Sequence, residues 1–260
     1  METNFTFITG ASGGIGLELA RLAAADRQNL ILVARSGEKL EKLAEELRAT
    51  NNVVVKTIVA DLSDTNDLAQ VISQIDHWQI TVNTLINNAG FADYGDFATA
   101  DLDKNLRMIT LNITALTHLT HHFLGKMIET GGGKVMNVAS IASFIPGPGM
   151  AVYYATKAYV LSFSEALSRE MKGTGITVTA LCPGPTDTGF AEAAGLGKSL
   201  FHRVFPPYTA AEVAKAGYKA MMNGKTVVLP GFMNKLSSIT PRFLPRSVAR
   251  NLIFSIHKKH

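Results

Sequence analysis

Tyr153 and Lys157 stand four residues apart in a stretch, Val152 to Met171, whose apolar spacing predicts a helix. Side chains at positions i and i+4 share one helical face, so the phenol and the ammonium are predicted to lie close together. The unperturbed pKa of tyrosine is about 10, and a neighbouring ammonium favours the phenolate and lowers that pKa. The pair is therefore a candidate for general acid–base catalysis at neutral pH.

A serine and a second tyrosine accompany this pair. Ser140 follows an apolar run, Lys134 to Ala139, that predicts a strand, and its hydroxyl can stabilise charge on a substrate oxygen. Tyr154 is three residues before Lys157 and also shares its helical face. The helical spacing by itself does not decide which of the two tyrosines is the proton donor.

A glycine-rich turn joins the first predicted strand, Phe5 to Thr9, to a helix that begins near Ile15. Glycines let a backbone approach a pyrophosphate, and a helix N-terminus offers free N–H groups and a positive dipole. The spacing is G-x-x-x-G-x-G, unlike the G-x-G-x-x-G dinucleotide fingerprint. The turn predicts a phosphate site at the residues Gly10, Ser12, Gly13, Gly14, Ile15 and Gly16.

The elements that would position these residues alternate along the chain. Short apolar runs predict strands, and amphipathic stretches between them predict helices. The strands are predicted at 5–9, 30–34, 53–60, 82–86, 134–139, 176–181 and 226–229, and the later helices at 38–48, 64–75, 102–128, 152–171 and 210–222. This order predicts an α/β protein with a Rossmann-like, doubly wound parallel sheet of about seven strands and helices on both faces. No repeat or linker interrupts it, so residues 1–260 are predicted to form a single domain.

Composition narrows the classes of protein. Of the 260 residues, 47% are hydrophobic, which excludes wholesale disorder. The single cysteine, Cys182, excludes an intramolecular disulfide and a multi-cysteine zinc site. His118, His121 and His122 share a helical face but lack the H-E-x-x-H pattern, so we expect no metal and a packing role for them. We expect a cytoplasmic protein that binds no nucleic acid.

Together the motifs resemble those of the short-chain dehydrogenase/reductase family over roughly residues 4–231. They are T-G-x-x-x-G-x-G from Thr9, Asn87-Asn88-Ala89-Gly90, Ser140 placed 13 residues before Tyr153-x-x-x-Lys157, and Pro183-Gly184. The resemblance implies that Ser140, Tyr153 and Lys157 are catalytic, and it favours Tyr153 over Tyr154. It also implies that Asn112, in the long helix, holds a water next to the lysine; Asn105 in the same helix is the alternative.

The resemblance further implies which residues bind a nicotinamide dinucleotide. Asp61 and Leu62, after the third strand, match the adenine contacts of the family. The other implied cofactor-binding residues are those of the glycine-rich turn together with Asn88, Ala89, Gly90, Tyr153, Lys157, Pro183, Gly184, Thr186 and Thr188.

The residue after the second strand predicts which dinucleotide is used. An acidic residue there binds the ribose of NAD, whereas an arginine accommodates the 2′-phosphate of NADP. The strand ends Val33-Ala34 without a carboxylate, and Arg35 begins the loop. Ser12 and Ser36 are candidate hydroxyl donors to the phosphate. The sequence therefore predicts NADP(H) as the cofactor.

These observations predict an NADP(H)-dependent oxidoreductase that interconverts a ketone and a secondary alcohol, assembled as a homodimer or homotetramer. By resemblance residues 189–208 form a substrate lid, and its apolar members, among them Phe190, Leu196, Leu200, Phe201, Val204 and Phe205, predict a lipophilic or acyl substrate. The alternative is a catalytically silent, NADP-binding regulatory or scaffold protein, which would be free to lose Tyr153 and Lys157. An extended-type epimerase is disfavoured because it would carry T-G-x-x-G-x-x-G.

The C-terminal end of the chain is basic. Of the formal net charge of +4, nine basic residues and no acidic residue follow Glu212, which leaves 4 − 9 = −5 for the first 212 residues. In the tail at about 232–260 a helix is predicted to begin near Ser247, with Val248, Leu252 and Ile256 as its apolar stripe and Arg246, Arg250 and His257 on another face. Such a helix either packs on the domain or contacts an anionic membrane or an acidic partner.

Overall fold

Seven parallel strands form the central sheet. The computed structural model describes residues 4–195, 207–239 and 245–257. Strands β1 to β6 span Asn4–Thr9, Asn29–Ala34, Val55–Val59, Thr81–Asn87, Gly133–Val138 and Ile176–Leu181, and β9 spans Val227–Val228. Their order across the sheet is β3-β2-β1-β4-β5-β6-β9. This confirms the predicted Rossmann-like sheet. A second sheet, which the sequence analysis does not predict, pairs β7, Thr186–Asp187, with β8, Tyr208–Thr209.

Ten α-helices lie in the described ranges, and eight of them correspond to predicted helices within a few residues, the exceptions being the short helix after β7 and the helix after β9. They are α1 Gly14–Ala25, α2 Gly37–Asn51, α3 Thr65–Trp78, α4 Leu102–Ile109, α5 Leu116–Glu129, α6 Ala151–Glu170, α7 Phe190–Ala193, α8 Ala210–Met222, α9 Phe232–Ile239 and α10 Arg246–His257. A π-helical segment, Thr110–Ala115, joins α4 to α5, so the predicted helix 102–128 is continuous but locally wider. A 3-10 helix, Ile141–Phe144, follows β5.

Two hydrophobic cores sandwich the sheet. Alternate strand residues point to opposite faces, so Ile8 joins the core under α1, α2 and α8, while Phe7 joins the core under α3 and α5. The helices contribute, for example, Leu19 and Leu40 to the first core and Phe123 to the second. Both faces of the inner strands are dry, which is why these runs are wholly apolar rather than alternating.

The direction of chain winding changes between β1 and β4. These strands are neighbours, although β2 and β3 lie on the far side of β1 and β5 on the far side of β4. Ligands of open α/β sheets bind in the crevice outside the carboxyl ends of the strands at such a switch point. The fold therefore places the glycine-rich turn after β1 and Asn88 after β4 at the edge of one crevice.

The C-terminal tail differs from its prediction in detail. The helix predicted near Ser247 is present as α10, whereas α9 was not predicted. Val248, expected on the inner stripe of α10, is half exposed, and Ile253 is buried instead. The side chains of Leu252 and Ile256 lie outside the described part of the structure. Among the described residues, no helix combines the length and the apolar character needed to span a membrane.

Candidate active site

A cleft of about 480 Å³ opens at the carboxyl edge of the sheet, over the switch point. Most of the predicted site residues line it: Gly10, Ser12, Gly13, Gly14, Ile15, Asn88, Ala89, Gly90, Ser140, Tyr153, Lys157, Pro183, Gly184, Thr186 and Thr188. Gly16, Arg35, Asp61, Leu62 and Asn112 are not on its wall. One cleft thus brings together the two groups of motifs, the phosphate turn and the proton-transfer residues.

The glycine-rich turn is held by Asn88 and Thr9. Asn88 donates from Nδ2 to the carbonyls of Thr9 at 2.9 Å and of Gly10 at 3.2 Å. Gly10 has a φ of +67°, which favours glycine. At Gly16 an added Cβ would lie 2.3 Å from the Gly10 carbonyl oxygen, so only glycine permits helix and turn to approach so closely. Gly16 therefore permits the conformation of the turn without lining the cleft itself.

The start of α1 is suited to a phosphate. No side chain in the described ranges caps this helix, whose N-cap residue is Gly13. The space where a Cβ of Gly13 would lie is open, with no atom within 4 Å. The first N–H groups of an α-helix have no partner within the helix, and the positive end of the helix dipole favours an anion there. These residues fit the pyrophosphate of a dinucleotide.

Ser140, Tyr153 and Lys157 meet at the other end of the cleft, and all three are buried. The side chains of Ser140 and Tyr153 are hydrogen-bonded. Lys157 donates from Nζ to the carbonyl of Val138 at 2.7 Å, and its Nζ is 5.9 Å from the centre of the Tyr153 ring. Ser140 is anchored in turn, because its Oγ accepts a hydrogen bond from the Ala142 N–H at 3.1 Å.

Burial governs the protonation of this group. It raises the pKa of Tyr153 to about 12, a shift that the hydrogen bond from Ser140 opposes. It lowers the pKa of Lys157 to about 8, which the nearby Cys182 opposes. The lowering of the Tyr153 pKa expected from the i, i+4 spacing is therefore wrong for the protein alone. The phenol is removed from water, and the ammonium is bonded to a carbonyl rather than to the phenol oxygen.

Asn112 lies in the π-helical segment behind Lys157. Its Oδ1 accepts from the Phe91 N–H at 3.2 Å, and its Nδ2 donates to the Phe91 carbonyl and to Thr156 Oγ1, both at 3.1 Å. A Cβ on Gly90 would lie 3.0 Å from Asn112 Oδ1 and 3.4 Å from Lys157 Nζ, so the three residues are neighbours. The alternative, Asn105, donates to the Asp101 carbonyl within the first turn of α4.

Tyr154 packs beside Tyr153 without taking its place. The two rings meet edge to face at 6.0 Å, and a Cβ on Gly147 would lie 2.3 Å from the Tyr154 ring. Burial raises the pKa of Tyr154 as well. Tyr154 lines the cleft, but the hydrogen bond with Ser140 belongs to Tyr153.

Arg35 and Asp61 lie at the rim beyond β2 and β3. The Arg35 side chain is 74% exposed, and its Nη1 is 4.0 Å from Asp61 Oδ2. Asp61 also accepts from Arg107 Nη2 at 2.7 Å. Burial raises the pKa of Asp61, but hydrogen bonds from Ser63 and the charges of Arg107 and Arg35 outweigh it, so the pKa is lowered overall. Asp61 is therefore an anion held by cations.

Lys39 is a cleft residue that the sequence analysis missed. It is the third residue of α2, in the turn that follows Arg35, and it lines the cleft on the side of the glycine-rich turn. A basic residue in the first helical turn after the second strand was the available signal. Lys39 on the cleft wall and Arg35 at the rim thus place two cations on the side of the glycine-rich turn.

The wall around Tyr153 is apolar. Ile141, Ala142, Met150 and Phe190 line it, and the Phe190 ring is 5.6 Å from the ring of Tyr153. Phe190 was predicted as part of the lid. The other apolar lid residues, Leu196, Leu200, Phe201, Val204 and Phe205, lie outside the described residues.

Two other candidate groups take no part in the cleft. Cys182 is fully buried, and burial raises the pKa of its thiol to about 12, which disfavours a nucleophilic thiolate. His122, on α5, has its Nε2 3.2 Å from Asp76 Oδ1 of α3, consistent with the expected packing role.

Known proteins resemble this chain in sequence and in fold. Residues 4–198 match the short chain dehydrogenase family. The chain is 40% identical over 190 residues to sulfoacetaldehyde reductase 2 of Chromohalobacter salexigens, covering 72% of this chain and 75% of the relative. It is 32% identical to the very-long-chain 3-oxoacyl-CoA reductase of Anas platyrhynchos, covering 97% of this chain and 79% of the relative.

A solved structure extends the similarity to three dimensions. The short-chain dehydrogenase from Sphingobium yanoikuyae in complex with NADPH superposes with a TM-score of 0.81 at 33% identity, covering 97% of this chain and 95% of that one. The family match spans most of the chain. The protein belongs to the short-chain dehydrogenase/reductase family of oxidoreductases.

Proposed function

We propose that the protein is an NADP(H)-dependent oxidoreductase that interconverts a lipophilic ketone and its secondary alcohol, with Ser140, Tyr153 and Lys157 as catalytic residues and Asn112 as a positioning residue. One observation carries the proposal. The hydrogen-bonded pair Ser140–Tyr153 and the buried Lys157 share a cleft with a glycine-rich turn suited to a pyrophosphate.

The side chains divide the proton chemistry between them. NADPH, when bound, supplies the hydride. The Ser140 and Tyr153 hydroxyls can both hydrogen-bond a substrate carbonyl oxygen in the cleft and stabilise the charge that develops on it. With a pKa of about 12, Tyr153 keeps its proton at neutral pH and gives it to the alkoxide, which is a stronger base than phenolate. The Lys157 ammonium then stabilises the phenolate that remains.

Two cations support NADP(H) over NAD(H). Arg35 is exposed at the end of β2, and Lys39 lines the cleft beside the glycine-rich turn. A guanidinium can bind a phosphate through two parallel hydrogen bonds. No carboxylate stands at the end of β2 to repel the 2′-phosphate of NADP. The carboxylate of Asp61 is already held by Arg107. The NADPH complex of the relative from Sphingobium yanoikuyae supports the same assignment.

The wall around Tyr153 supports an apolar substrate. Among residues 4–195 and 207–239, the cations on the cleft wall are Lys39 and Lys157, and neither lies in the apolar group of Ile141, Met150 and Phe190. A sulfonate, as in the substrate named for the relative from Chromohalobacter salexigens, would find no partner in that group. An acyl chain, as in the substrate named for the relative from Anas platyrhynchos, would pack against these apolar side chains.

A homodimer or homotetramer remains the proposed assembly. The continuous helix α4–α5 exposes Leu102 and Leu106, and α6 exposes Tyr159. Apolar side chains exposed on long helices are typical of an interface between subunits. Size-exclusion chromatography with light scattering measures the mass directly.

The reaction can be tested with purified protein and a panel of carbonyl compounds. We expect NADPH oxidation with ketones that carry long alkyl chains or ring systems, with kcat/KM rising as apolar surface is added, and slower oxidation with sulfoacetaldehyde. The reverse reaction should appear with the matching secondary alcohols and NADP⁺. A protein that binds NADPH but turns over no member of the panel in either direction would favour the silent, regulatory alternative.

A further inference from the structure

Helix α9 has two dissimilar faces. Its inner face carries Asn234 and Ser238, which are four residues apart and 1% and 5% exposed. Asn234 donates from Nδ2 to the Pro230 carbonyl at 2.6 Å. A Cβ on Gly184 would lie 2.3 Å from Asn234 Oδ1, so this amide packs directly against a residue of the cleft wall. The inner face therefore fixes α9 against the candidate active site.

The outer face of α9 is apolar and exposed. We define it by Phe232, Met233 and Leu236, which lie opposite Asn234 and Ser238 at helical spacing, with Lys235 beside them. Phe232 is 76% exposed and Met233 is 51% exposed. On the following helix, α10, Val248 is half exposed. Large apolar side chains grouped on a surface mark a contact with a protein or a membrane.

The basic residues of the C-terminal end favour an anionic partner for the outer face of α9. After Glu212 the chain has nine basic residues and no acidic one, and among them Lys235 and Arg250 are exposed on α9 and α10. An isologous contact centred on this face would bring Lys235 toward the Lys235 of the second copy, which is unfavourable. An anionic lipid surface suits both the apolar side chains and the basic residues. Apolar side chains enter the boundary between headgroups and acyl chains, while lysines and arginines bind the lipid phosphates.

We infer that the outer face of α9 docks the protein on an anionic lipid surface, with the basic residues of the C-terminal end supplying the electrostatic attraction. Docking is independent of the proposed reaction. It has a geometric consequence, since Phe232 and Met233 are within one helical turn of Asn234, which touches Gly184. The docked protein would hold its cleft wall next to the membrane.

Vesicle co-sedimentation of the full-length protein tests the inference. We expect pelleting with phosphatidylcholine–phosphatidylglycerol vesicles, little with phosphatidylcholine alone, and release at about 500 mM salt because the Debye length shrinks to a few ångströms. Phe232→Ser/Met233→Ser should abolish pelleting. Phe97→Ser, which replaces a 64% exposed phenylalanine on the loop between β4 and α4, should not. Lys235→Glu should weaken vesicle partitioning about tenfold or more, whereas Lys172→Glu after α6 should change it little.

Folding of each variant is checked by its NADPH binding, which none of these substitutions touches. Equal pelleting with both kinds of vesicle, or wild-type pelleting by Phe232→Ser/Met233→Ser, overturns the inference. So does an oligomer that dissociates in Phe232→Ser/Met233→Ser while the wild type ignores lipid, because a second copy then covers the outer face of α9. The wild-type comparison of the two lipid compositions decides the matter even if a variant fails to fold.

Discussion

At the scale of single residues, burial controls the proposed chemistry. Tyr153 and Lys157 are both removed from water, and their pKa values move in opposite directions, to about 12 and about 8. The phenol therefore holds its proton more firmly than usual, and the ammonium holds its own less firmly. In a cleft of low polarity, these shifts suit Tyr153 to the role of proton donor and Lys157 to that of a nearby cation.

Substitution of the two tyrosines separates their roles. Tyr153→Phe removes the hydroxyl bonded to Ser140, so we expect kcat to fall by a factor of at least about 100 with NADPH binding nearly unchanged. Tyr154→Phe keeps the ring that packs near Gly147, so its kcat should stay within about threefold of wild type. Steady-state kinetics and cofactor titration measure both. A dead Tyr154→Phe beside an active Tyr153→Phe would assign the proton donor to Tyr154.

The buried ammonium predicts a specific pH dependence of stability. The pKa of Lys157 falls from 10.5 to about 8 on folding, so between these pH values the unfolded chain binds more protons and stability rises with pH. Relative to Lys157→Met, the wild type should therefore gain roughly 3 kcal/mol of unfolding free energy between pH 8 and pH 10.5.

Urea denaturation of both proteins across this range measures that gain. The Val138 carbonyl loses its donor in Lys157→Met, but this cost is independent of pH and cancels from the comparison. Titrations of groups that do not interact with Lys157 occur in both proteins and cancel in the same way. Parallel pH profiles for the two proteins would contradict the buried, charged lysine.

At the scale of secondary-structure elements, short irregular segments position the site. The π-helical segment Thr110–Ala115 places Asn112 next to Phe91, Thr156 and Lys157. π-Helical turns inside α-helices are frequently found at functional sites. The 3-10 helix after β5 has Ser140 as its N-cap, and Ser143 Oγ ties it to α6 by donating to the Lys157 carbonyl at 2.7 Å. The three proposed catalytic residues are therefore linked through backbone as well as side chains.

The contact between Gly184 and α9 can be tested with a matched glycine. In Gly184→Ala the new methyl would meet the buried Asn234 amide at 2.3 Å, so we expect a loss of about 1–3 kcal/mol of stability. Gly189→Ala, later in the same loop, meets no described atom within 4 Å and should stay within about 0.5 kcal/mol of wild type.

Urea midpoints report both changes, and a double substitution identifies the partner. Gly184→Ala/Asn234→Ala removes the clash, so it should be less destabilised than the sum of the two single variants. Strict additivity would show that α9 does not pack on Gly184 in solution.

At the scale of the whole molecule, the sheet topology and the distribution of charge decide where ligands bind. The change of winding between β1 and β4 opens one cleft over the carboxyl ends of the strands. The excess of positive charge lies beyond Glu212, after the strands that build most of that cleft. The cations proposed for the cofactor, Arg35 and Lys39, are instead local to the second strand and α2.

Cofactor binding should stabilise the entire fold. A ligand at about 100 times its Kd adds about 3 kcal/mol to the unfolding free energy, which corresponds to a rise in Tm of about 5 to 10 °C for a chain of this size. We expect that rise with NADPH and a clearly smaller one with NADH at the same concentration. Arg35→Asp should reverse the order. Equal shifts with both cofactors in the wild type would contradict the NADP(H) assignment.

The sequence by itself determined the alternation of strands and helices and the chemistry at their ends. Runs such as Leu30–Ala34 are apolar throughout because both faces of the strand are dry, and Gly10 and Gly16 of the turn are required by close backbone contacts. Local periodicity and local sterics are sufficient for such inferences. For the same reason Ser140, Tyr153 and Lys157 could be singled out from their positions relative to these elements.

Only the tertiary structure decided the environment of those residues. The direction of the Tyr153 pKa shift depends on how completely the phenol is buried and on the hydrogen bond that Lys157 donates to the Val138 carbonyl. The i, i+4 spacing of the two residues reveals neither. Asn112 and Asn105 are distinguished by a π-helical segment and a contact with Phe91, which lies far away along the chain. Among the described side chains of α10, Ile253 is buried and Val248 is half exposed, because the burial of a helical face depends on what packs against it. Burial and partner choice arise from contacts between distant segments, and a pattern within one segment does not contain them.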